Sequence, residues 1–228
     1  MNTSDGKTLT VPRHVGIIMD GNGRWAERHA FARAAGHKQG AEAFRTLAYY
    51  CRDIGMDYLS VYAFSTENWK RDKLEVSAIL RILEDYLIEA IEKMAREGLR
   101  MRILGDTAPL SERLKRLIGE AHSIADTYEG FTANLCVNYG GRDEILRAAK
   151  KAAESGAAFE DCLDTAGLPD PELIIRPGGE HRLSNFMLWQ SAYSELYFTD
   201  TLWPDFEPAD LDAAIVWYNQ RERRFGGR

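Results

Sequence analysis

The sequence predicts an α/β fold in which a central, mostly parallel sheet is surrounded by helices. Short apolar runs of strand length alternate along the chain with longer segments of helical period. Polar clusters follow four of these runs directly, as they do where parallel strands end and ligands bind. Because such ends gather at one edge of a parallel sheet, that edge is the expected functional site.

The first element is a buried strand over residues 15–19, which ends at an acidic residue and a glycine-rich turn. The strand is followed in order by Asp20, Gly21, Asn22, Gly23, and a helix that opens at Arg24 and Trp25. Exposed N–H groups and the helix dipole at such a turn favour an anion, although the same pattern also occurs as a plain turn. An acidic residue beside a phosphate site indicates a bridging divalent cation. The stretch matches neither the dinucleotide fingerprint nor a P-loop.

The later elements follow from the same periodicities. Predicted helices cover residues 38–53, 73–97, 109–128 and 208–221, and a further helix follows residue 143 and ends at about residue 155. Predicted strands cover residues 58–64, 99–104, 131–137, 173–176 and 195–198. Residues 157–171 are expected to be irregular, with one short helical turn. The broad apolar face of the 73–97 helix is compatible with an elongated cavity and equally with packing on the sheet. We expect a loose segment over residues 1–12 and a single domain over residues 13–228.

Composition narrows the class of protein. The 228 residues carry a formal net charge of −6, which argues against a nucleic-acid partner. Cys51, Cys136 and Cys162 are far apart and have neither metal-site nor disulfide spacing. No apolar run reaches the length of a membrane span, and no apolar signal segment is present, so a cytoplasmic protein is expected.

The polar residues at the strand ends indicate diphosphate chemistry. The expected cations are Arg24, Arg33, Arg71, Arg176 and Arg182, and the expected carboxylates are Asp20, Glu67, Glu180 and Glu195. Arginine grips phosphate oxygens in a bidentate manner, and Mg²⁺ takes one or two carboxylates together with substrate phosphates. Zinc ligands, an acyl-transfer elbow and kinase motifs are missing from the sequence. Expulsion of diphosphate would leave a carbocation, which an apolar cavity could shield from water.

Five sequence blocks carry a closer resemblance, to the cis-prenyltransferase (undecaprenyl diphosphate synthase) family. They read HVGIIMDGNGRWA, GHKxG, YAFSTENW, NYGGR and IRxGGEHRLSNFxLWQxAYxELYF, and the ending RERRFGG also fits. The resemblance extends over about residues 12–227. It implies a six-stranded sheet with an apolar tunnel beside it, a homodimer, isoprenoid diphosphate substrates, and at most transient membrane contact. The family's C-terminal RFGG segment can reach the partner subunit's site.

The resemblance also implies roles for individual residues. Asp20 would bind Mg²⁺ and assist diphosphate departure, with His181 and Glu195 completing the metal site. Asn68 would assist proton removal together with Ser65. The residues implied in substrate binding are Gly21, Asn22, Gly23, Arg24, Trp25, Arg33 and His37 for the allylic diphosphate, Arg176, Arg182, Leu183 and Ser184 for the second diphosphate, and Ser65, Thr66, Glu67, Trp69 and Arg71 in the loop between them.

The implied reaction is ionisation of an allylic diphosphate, attack by the double bond of isopentenyl diphosphate, and proton loss that leaves a cis bond. Departures from the family pattern favour a short to medium product. Pro177 stands where threonine is usual, and Asp72 stands where proline is common. The segment over residues 148–171 is shorter than in long-chain members of the family. Bulky residues near the tunnel are Tyr49, Tyr50, Tyr86 and Phe131, whereas Ala63 is small.

Three alternatives remain open at this stage. One is head-to-middle coupling of two dimethylallyl diphosphates to a lavandulyl-type, possibly cyclised, diphosphate, with the altered Pro177 loop changing the second substrate. A second is a non-catalytic partner subunit, which the presence of Asp20, Arg24, Arg176 and Glu195 disfavours. A third is a phosphate-binding module, which would have no need of the Ser-Thr-Glu-Asn-Trp cluster.

Overall fold

The computed structural model describes residues 9–127 and 129–221, apart from the side chains of residues 94 and 95, and contains one six-stranded sheet. The strands are β1 (His14–Ile18), β2 (Tyr58–Ser65), β3 (Leu99–Leu104), β4 (Phe131–Tyr139), β5 (Leu173–Arg176) and β6 (Glu195–Phe198). Their order is β3-β4-β2-β1-β5-β6, and every neighbouring pair is parallel. The predicted fold class is confirmed.

Helices connect the strands from β1 to β5, β5 and β6 are joined by a loop with a 3₁₀ turn (Gln190–Tyr193), and one helix follows β6. The helices are α1 (Asn22–Arg28), α2 (Arg33–Asp53), α3 (Lys73–Glu97), α4 (Glu112–Ala125), α5 (Gly141–Ser155) and α6 (Pro208–Asn219). Alternation along β1 divides the core between the two faces of the sheet. Val15 and Ile17 belong to the larger core with α2, α3, α4 and α6, whereas Ile18 packs with Tyr62 and Phe186 on the opposite face.

Helix α2 begins five residues before the predicted start at residue 38. The prediction treated Gly36 as a helix breaker, but the residue lies inside the helix, where α1 crosses it closely. A Cβ atom at Gly36 would lie 2.0 Å from the carbonyl oxygen of Asn22. Gly36 therefore permits close packing of two helices, a tertiary effect that local propensity does not reveal.

Other boundaries differ by a few residues from the predictions. Strand β4 continues to Tyr139 instead of ending at residue 137, because Tyr139 still pairs with Ser65 of β2. Helix α4 starts after the Ser111 cap, whose Oγ accepts a hydrogen bond from the Leu114 N–H at 3.2 Å. It ends at residue 125, and the predicted end at Tyr128 lies outside the described residues. Residues 157–171 contain one 3₁₀ turn, over Glu160–Cys162, as predicted.

The two ends of the described chain meet at α6. The Thr10 N–H donates to Asn219 Oδ1, and Asn219 Nδ2 donates to the Thr10 carbonyl, each at 2.9 Å. This part of the segment expected to be loose is thus held by the last helix. Residues 1–8 and the C-terminal RFGG motif lie outside the described residues. None of the described helices combines the length and the apolar character needed to cross a membrane.

A buried polar network joins three strands at the end of the sheet opposite the polar clusters. His14 Nε2 lies 2.7 Å from Ser60 Oγ, which also accepts a hydrogen bond from Asn134 Nδ2 at 3.0 Å. His14 Nδ1 lies 2.6 Å from the Pro169 carbonyl oxygen. Burial lowers the pKa of His14 from 6.5 to about 4, which keeps the ring neutral at pH 7.

Acid should destabilise the fold through His14. In the unfolded chain the ring binds a proton near pH 6.5, whereas in the fold it does so near pH 4. The unfolded state therefore holds more protons between these values, and stability falls as pH drops. At 1.36 kcal/mol per pKa unit, the free energy of unfolding falls by about 3 kcal/mol between pH 7 and pH 4. Urea unfolding at both pH values measures this loss, and His14→Gln should reduce it. His29→Gln, at an exposed histidine, should leave it unchanged.

Candidate functional site

The site lies where β1 and β5 end side by side. From β1 the chain moves to β2 on one side, whereas β5 and β6 lie on the other, so this is the switch point at which parallel sheets bind ligands. Asp20 follows β1, and Arg176 ends β5. Arg176 Nη2 donates to Asp20 Oδ2 at 2.9 Å across the crevice.

Arg176 is buried, and its guanidinium is hydrogen-bonded to several neighbouring groups. Its side chain is 4% exposed. Its Nη1 donates to Ser184 Oγ at 2.7 Å and to the carbonyl of Arg182, while Nε has no hydrogen-bond partner in the described part of the chain. Arg176 shares its one carboxylate partner, Asp20, with Arg24, so the positive charge at this wall is suited to a further anion.

Arg24 approaches Asp20 from the other side. Its Nη2 lies 3.1 Å from Asp20 Oδ1, and its Nη1 donates to the Gly178 carbonyl at 2.6 Å. Arg24 sits in the first turn of α1, which starts after Gly21 in a left-handed conformation (φ 109°) that suits glycine. Both carboxylate oxygens of Asp20 are therefore paired with arginines.

A second cationic group lies between α2 and α3 around Glu75. The Glu75 carboxylate accepts a hydrogen bond from Arg71 Nη1 at 2.9 Å and lies 3.1 Å from His37 Nε2. Arg33 Nη1 lies 3.6 Å from the same carboxylate, and its Nη2 is paired with Glu27. The Glu75 carboxylate thus contacts three side chains that were predicted to bind substrate.

Burial and charge determine the protonation of this group. Burial lowers the pKa of His37, and together with the charges of Arg71 and Arg33 it outweighs the hydrogen bond and charge of Glu75, which raise that pKa, so the neutral ring is favoured. Burial alone would raise the pKa of Glu75, but the hydrogen bond from His37 and the charge of Arg71 outweigh it, so that pKa is lowered. Glu75 is accordingly an anion that balances two arginines.

Two polar pockets meet at Asp20. We call the first, of about 320 Å³, the Arg33 pocket; it is lined by Asp20, Gly21, Asn22, Gly23, Arg24, Arg33, His37, Arg71 and Glu75, among others. We call the second, of about 570 Å³, the Arg176 pocket; it is lined by Asp20, Asn22, His37, Ser65, Glu67, Asn68, Arg71, Arg176, Arg182, Ser184 and Asn185, among others. Of the described residues, Asp20 is the one carboxylate that lines both.

A small apolar cavity opens from the junction of the two pockets. Its volume is about 70 Å³, and it shares Met19, Asn22 and His37 with both pockets. Its walls come from α2, α3 and the sheet, and α3 contributes Ile79, Ile82, Leu83 and Tyr86. Helix α3 therefore lines a cavity and also packs in the core through Leu87. Asn22 has a buried Oδ1 at this junction without a hydrogen-bond partner among the described residues.

The loop after β2 presents its polar side chains to the Arg176 pocket. Asn68 Oδ1 accepts a hydrogen bond from the Ser65 N–H at 3.0 Å, and Ser65 Oγ accepts one from the Asn68 N–H, so the pair forms a capping box. Glu67 accepts a hydrogen bond from Asn185 Nδ2 at 3.0 Å. Burial would raise the pKa of Glu67, but hydrogen bonds from its own backbone, Ser65 and Asn185 outweigh that effect and lower it.

The loop after β5 turns its amides away from the pocket. Pro177 has no N–H, and those of Gly178 and Gly179 donate to the carbonyls of Thr201 and Thr199 at 2.8 and 2.9 Å. Arg176, Arg182 and Ser184 supply the donors of the pocket on this side.

Several predicted site residues lie outside both pockets. Trp25 packs on His29 and donates to Asp205 Oδ1 at 2.6 Å, and Trp69 donates to Asn138 Oδ1 at 2.8 Å. Thr66 and Leu183 belong to the surrounding loops and do not line either pocket. Any contribution of these four residues to the site would therefore be indirect, through the residues that line the pockets.

The expected metal set of Asp20, His181 and Glu195 is not assembled within this chain. Glu195 begins β6 and pairs in register with Leu173, at the far end of β5 from Arg176, and its carboxylate lies 3.5 Å from Arg221 Nε. The His181 ring stacks on Phe198 instead. Among residues 9–127 and 129–221, no three His, Cys, Asp or Glu side chains converge as a metal site. Asp20 alone of the three lines the pockets.

The pocket residues that sequence reasoning missed as binding residues include Glu75 and Asn185. Glu75 follows Arg71 by four positions, a helical spacing that could have indicated the pair. Asn185, which has a positive φ of 70°, closes the loop by also accepting the Arg142 N–H through Oδ1. Its place beside Glu67 depends on long-range packing that no local pattern shows.

Comparisons with known proteins identify the family of the chain. Residues 18–226 match a family model described as "Putative undecaprenyl diphosphate synthase". An isoprenyl transferase of Brucella abortus is 46% identical over 231 residues, which cover 96% of this chain and 91% of the relative. Both findings extend over nearly the whole chain.

Two solved structures share the fold. The lavandulyl diphosphate synthase of Lavandula x intermedia, in complex with dimethylallyl diphosphate, superposes with a TM-score of 0.89 and 35% identity, covering 94% of this chain and 98% of the other. A "probable undecaprenyl diphosphate synthase" of Campylobacter jejuni gives a TM-score of 0.80 and 34% identity, with 96% and 100% coverage.

Proposed function

The chain belongs to the undecaprenyl diphosphate synthase family of prenyltransferases, and on that premise we propose that it joins an allylic diphosphate to isopentenyl diphosphate with release of diphosphate, forming a cis-prenyl diphosphate of short to medium length. One observation carries the proposal: two arginine-lined pockets meet at one carboxylate, and an apolar cavity opens from their junction. Two diphosphates and one hydrocarbon chain require such an arrangement.

The Arg33 pocket would take the allylic diphosphate. Arg24, Arg33 and Arg71 surround it with positive charge, and the neutral His37 ring lies at its junction with the apolar cavity. Charge that develops on the departing diphosphate would be stabilised by these preorganised donors. The allylic carbons would point into the apolar cavity, where the absence of water protects a carbocation.

The Arg176 pocket would take isopentenyl diphosphate. Arg176 supplies the buried positive charge of this wall, and Arg182 and Ser184 line the same pocket. The double bond would then face the allylic carbon across Asp20. As the new carbon–carbon bond forms, the isopentenyl unit becomes a tertiary cation, and loss of one proton restores a double bond. Asn68 and Ser65 border this pocket and would assist that proton's departure.

The donor set at Asp20 fits Mg²⁺. Mg²⁺ keeps several waters and takes one or two carboxylates together with substrate phosphates, and Asp20 is a partly exposed carboxylate between two anion pockets. When bound, Mg²⁺ supplies positive charge to diphosphate oxygens. Asp20 would hold it, with Arg24 and Arg176 on either side of the carboxylate.

A homodimer in the cytoplasm is also proposed. Tyr193 lies just before the edge strand β6 and is 75% exposed, and Leu196 lies on that strand and is 37% exposed. An edge strand is a natural place for a second copy of the chain to bind.

Product analysis by mass spectrometry tests the proposed function. The protein is incubated with Mg²⁺ and dimethylallyl diphosphate, with and without isopentenyl diphosphate, and in a parallel sample with EDTA. We expect product only when both substrates and Mg²⁺ are present. Absence of product from dimethylallyl, geranyl and farnesyl primers would favour a non-catalytic partner subunit.

Irregular coupling of two dimethylallyl diphosphates is the second candidate. The TM-score of 0.89 with lavandulyl diphosphate synthase favours it, as does the Pro177 loop, in which residues 177–179 have no free backbone N–H for the second pocket. A ten-carbon product from dimethylallyl diphosphate alone would establish it. In that case Pro177→Thr should move the preference towards isopentenyl diphosphate.

Glu75 is expected to position the cations of the Arg33 pocket. Glu75→Gln keeps the shape but removes the charge that holds Arg71, His37 and Arg33 together. The KM for the allylic diphosphate should then rise about tenfold, which corresponds to about 1.4 kcal/mol, whereas kcat changes little. Steady-state kinetics with the allylic substrate varied measures this.

Glu27→Gln is the matched control. Glu27 also pairs with Arg33, at 3.1 Å, but both side chains are 60% exposed, and exposed ion pairs contribute little. Its KM should change less than twofold. A lower KM in Glu75→Gln would mean instead that Glu75 competes with the diphosphate.

A further inference from the structure

Three segments that follow strands of the sheet are joined by one side chain, Asn185. Asn185 lies in the loop after β5, and its Nδ2 donates to Glu67 Oε1 in the loop after β2, at 3.0 Å. At the start of α5, which follows β4, the Arg142 N–H donates to Asn185 Oδ1 at 2.9 Å, and the Gly141 N–H donates to the Asn185 carbonyl at 2.7 Å. We call these three hydrogen bonds the Asn185 clasp.

The clasp completes the N-terminus of α5. The first N–H groups of a helix have no partner within the helix, and Gly140, which precedes α5, has no side chain to accept from them. Asn185 accepts two of these hydrogen bonds from a distant loop, as an N-cap residue usually does. A Cβ atom at Gly140 would lie 2.7 Å from Asn185 Nδ2 and 2.8 Å from Thr66 Oγ1. Glycine therefore lets the loops after β2 and β5 meet at the start of the helix.

The loop that contains Asn185 depends on its neighbours for its conformation. Ser184, Asn185 and Met187 have positive φ values of 47°, 70° and 42°. Residues other than glycine stay in this region only where surrounding contacts hold them there. Phe186 provides one contact, because its ring stacks on Tyr62 of β2 with the ring centroids 4.9 Å apart. The clasp provides the others, at the residue between Ser184 and Phe186.

The clasp also connects the two ends of the proposed second-substrate site. Ser184 precedes Asn185 in the chain and accepts a hydrogen bond at 2.7 Å from Arg176, which would bind the second diphosphate. Glu67 precedes Asn68, which would assist proton loss at the other end of the same substrate. Asn185 and Glu67 both line the Arg176 pocket. Their hydrogen bond therefore fixes the distance between the diphosphate-binding wall and the loop that contains Asn68.

We propose that Asn185 is a positioning residue of the transfer reaction, which holds the Ser184 wall and the Asn68 loop at the separation that aligns the isopentenyl unit for bond formation and proton loss. This inference rests on the proposed function and adds Asn185 to the residues that the reaction requires. Asn185 acts through Ser184 and Glu67, not on the reacting carbons. Because Asn185 does not line the Arg33 pocket, use of the allylic substrate should be nearly independent of it.

Asn185→Gly removes the clasp side chain and keeps the left-handed backbone, which glycine adopts readily. We expect kcat/KM for isopentenyl diphosphate to fall about thirtyfold, within the hundredfold that a misplacement of about 1 Å can cost. The KM for the allylic primer should stay within about twofold of the wild-type value. Equal losses for both substrates would mean that the residue has only a structural role.

Asn219→Ala is the matched control for this variant. Asn219 also accepts a backbone N–H through Oδ1 and donates through Nδ2, in both cases to Thr10, but it lines neither polar pocket. Its removal should lower the melting temperature and leave kcat/KM for both substrates within about twofold of the wild type. A loss of kcat/KM in Asn219→Ala as large as that in Asn185→Gly would contradict the positioning role.

An exchange of donor and acceptor tests the contact with Glu67 directly. Asn185→Asp keeps an acceptor for the Arg142 N–H but sets two carboxylates against each other, so kcat/KM for isopentenyl diphosphate should fall at least about thirtyfold. Adding Glu67→Gln supplies an amide that can donate to the new carboxylate. The double variant should recover at least about tenfold over Asn185→Asp, with Glu67→Gln alone completing the cycle. Independent losses without recovery, in variants that are folded by circular dichroism, would overturn the inference.

A binding measurement separates this inference from the proposed function. Calorimetric titration with isopentenyl diphosphate and Mg²⁺ should give a Kd about tenfold higher for Asn185→Gly than for the wild type, and an unchanged Kd for Asn219→Ala. If the wild type forms no product but shows this difference in Kd, the proposed function fails and the clasp remains as the device that orders the second diphosphate site. If the wild type forms product, and Asn185→Gly has unchanged Kd and kcat/KM, the clasp fails and the proposed function stands.

Discussion

Replacing Asp20 with asparagine is expected to lower kcat about a thousand-fold. Asp20 is the carboxylate common to both described pockets, and both of its oxygens are paired with arginines, Arg24 at 3.1 Å and Arg176 at 2.9 Å. Asparagine retains the shape but has no charge with which to hold Mg²⁺. It also leaves Arg176, whose side chain is 4% exposed, without its counter-charge.

The size of this effect follows from two losses at one position. Removal of a single preorganised group that stabilises transition-state charge costs about a hundred- to a thousand-fold in kcat. Here the metal anchor and the alignment of two arginines are lost together, so the upper end of that range applies. Single-turnover kinetics with saturating substrates isolates this loss from product release.

Magnesium dependence distinguishes a metal anchor from a merely structural residue. If Asp20 holds Mg²⁺, the residual activity of the asparagine variant should require a several-fold higher Mg²⁺ concentration for half saturation. Asp205→Asn is the matched control, because Asp205 accepts a hydrogen bond from Trp25 outside both pockets. An asparagine variant with kcat within tenfold of the wild type and unchanged Mg²⁺ dependence would contradict the role given to Asp20.

Much of this site could be predicted because buried parallel strands produce an unambiguous sequence signal. The apolar runs of β1, β2, β4 and β5 end abruptly at polar residues, and parallel order brings those ends to one edge of the sheet. Arg176 lies 156 positions after Asp20 in the chain, yet its Nη2 donates a hydrogen bond to Asp20 Oδ2. The convergence of strand ends, not any single motif, predicts that the two residues lie at the same edge of the sheet; their direct contact is seen only in the structure.

The features that could not be predicted depend on long-range register and packing. Glu195 was expected beside Asp20, but its pairing with Leu173 places it about three residues, or about 10 Å, from the end of β5. A four-residue strand contains no local signal that fixes which residue meets which neighbour. Likewise, a glycine at position 36 suggests a break in the helix. In the structure Gly36 lies inside α2, where the close approach of Asn22 leaves no room for a side chain.

The second large effect is expected from Arg176→Lys, which keeps the charge and changes only its geometry. We expect kcat/KM for isopentenyl diphosphate to fall about a hundred-fold, with the KM for the allylic substrate nearly unchanged. One ammonium group cannot reach Asp20, Ser184 Oγ and the Arg182 carbonyl together, as the planar guanidinium does. Varying each substrate separately measures the two effects.

Arg182→Lys is the comparison variant. It shows whether the loss of kcat/KM in Arg176→Lys comes from the fixed position of the Arg176 guanidinium. Arg182 lines the same pocket, but its side chain is 60% exposed and is paired with Glu180. An exposed, mobile cation acts mainly through its charge, which lysine preserves, so the expected loss is tenfold or less. Equal losses in the two variants would mean that charge alone matters at this wall. A much larger loss at Arg176 would mean that the buried, multiply bonded guanidinium sets the position of the second diphosphate, and through it the alignment of the double bond with the allylic carbon.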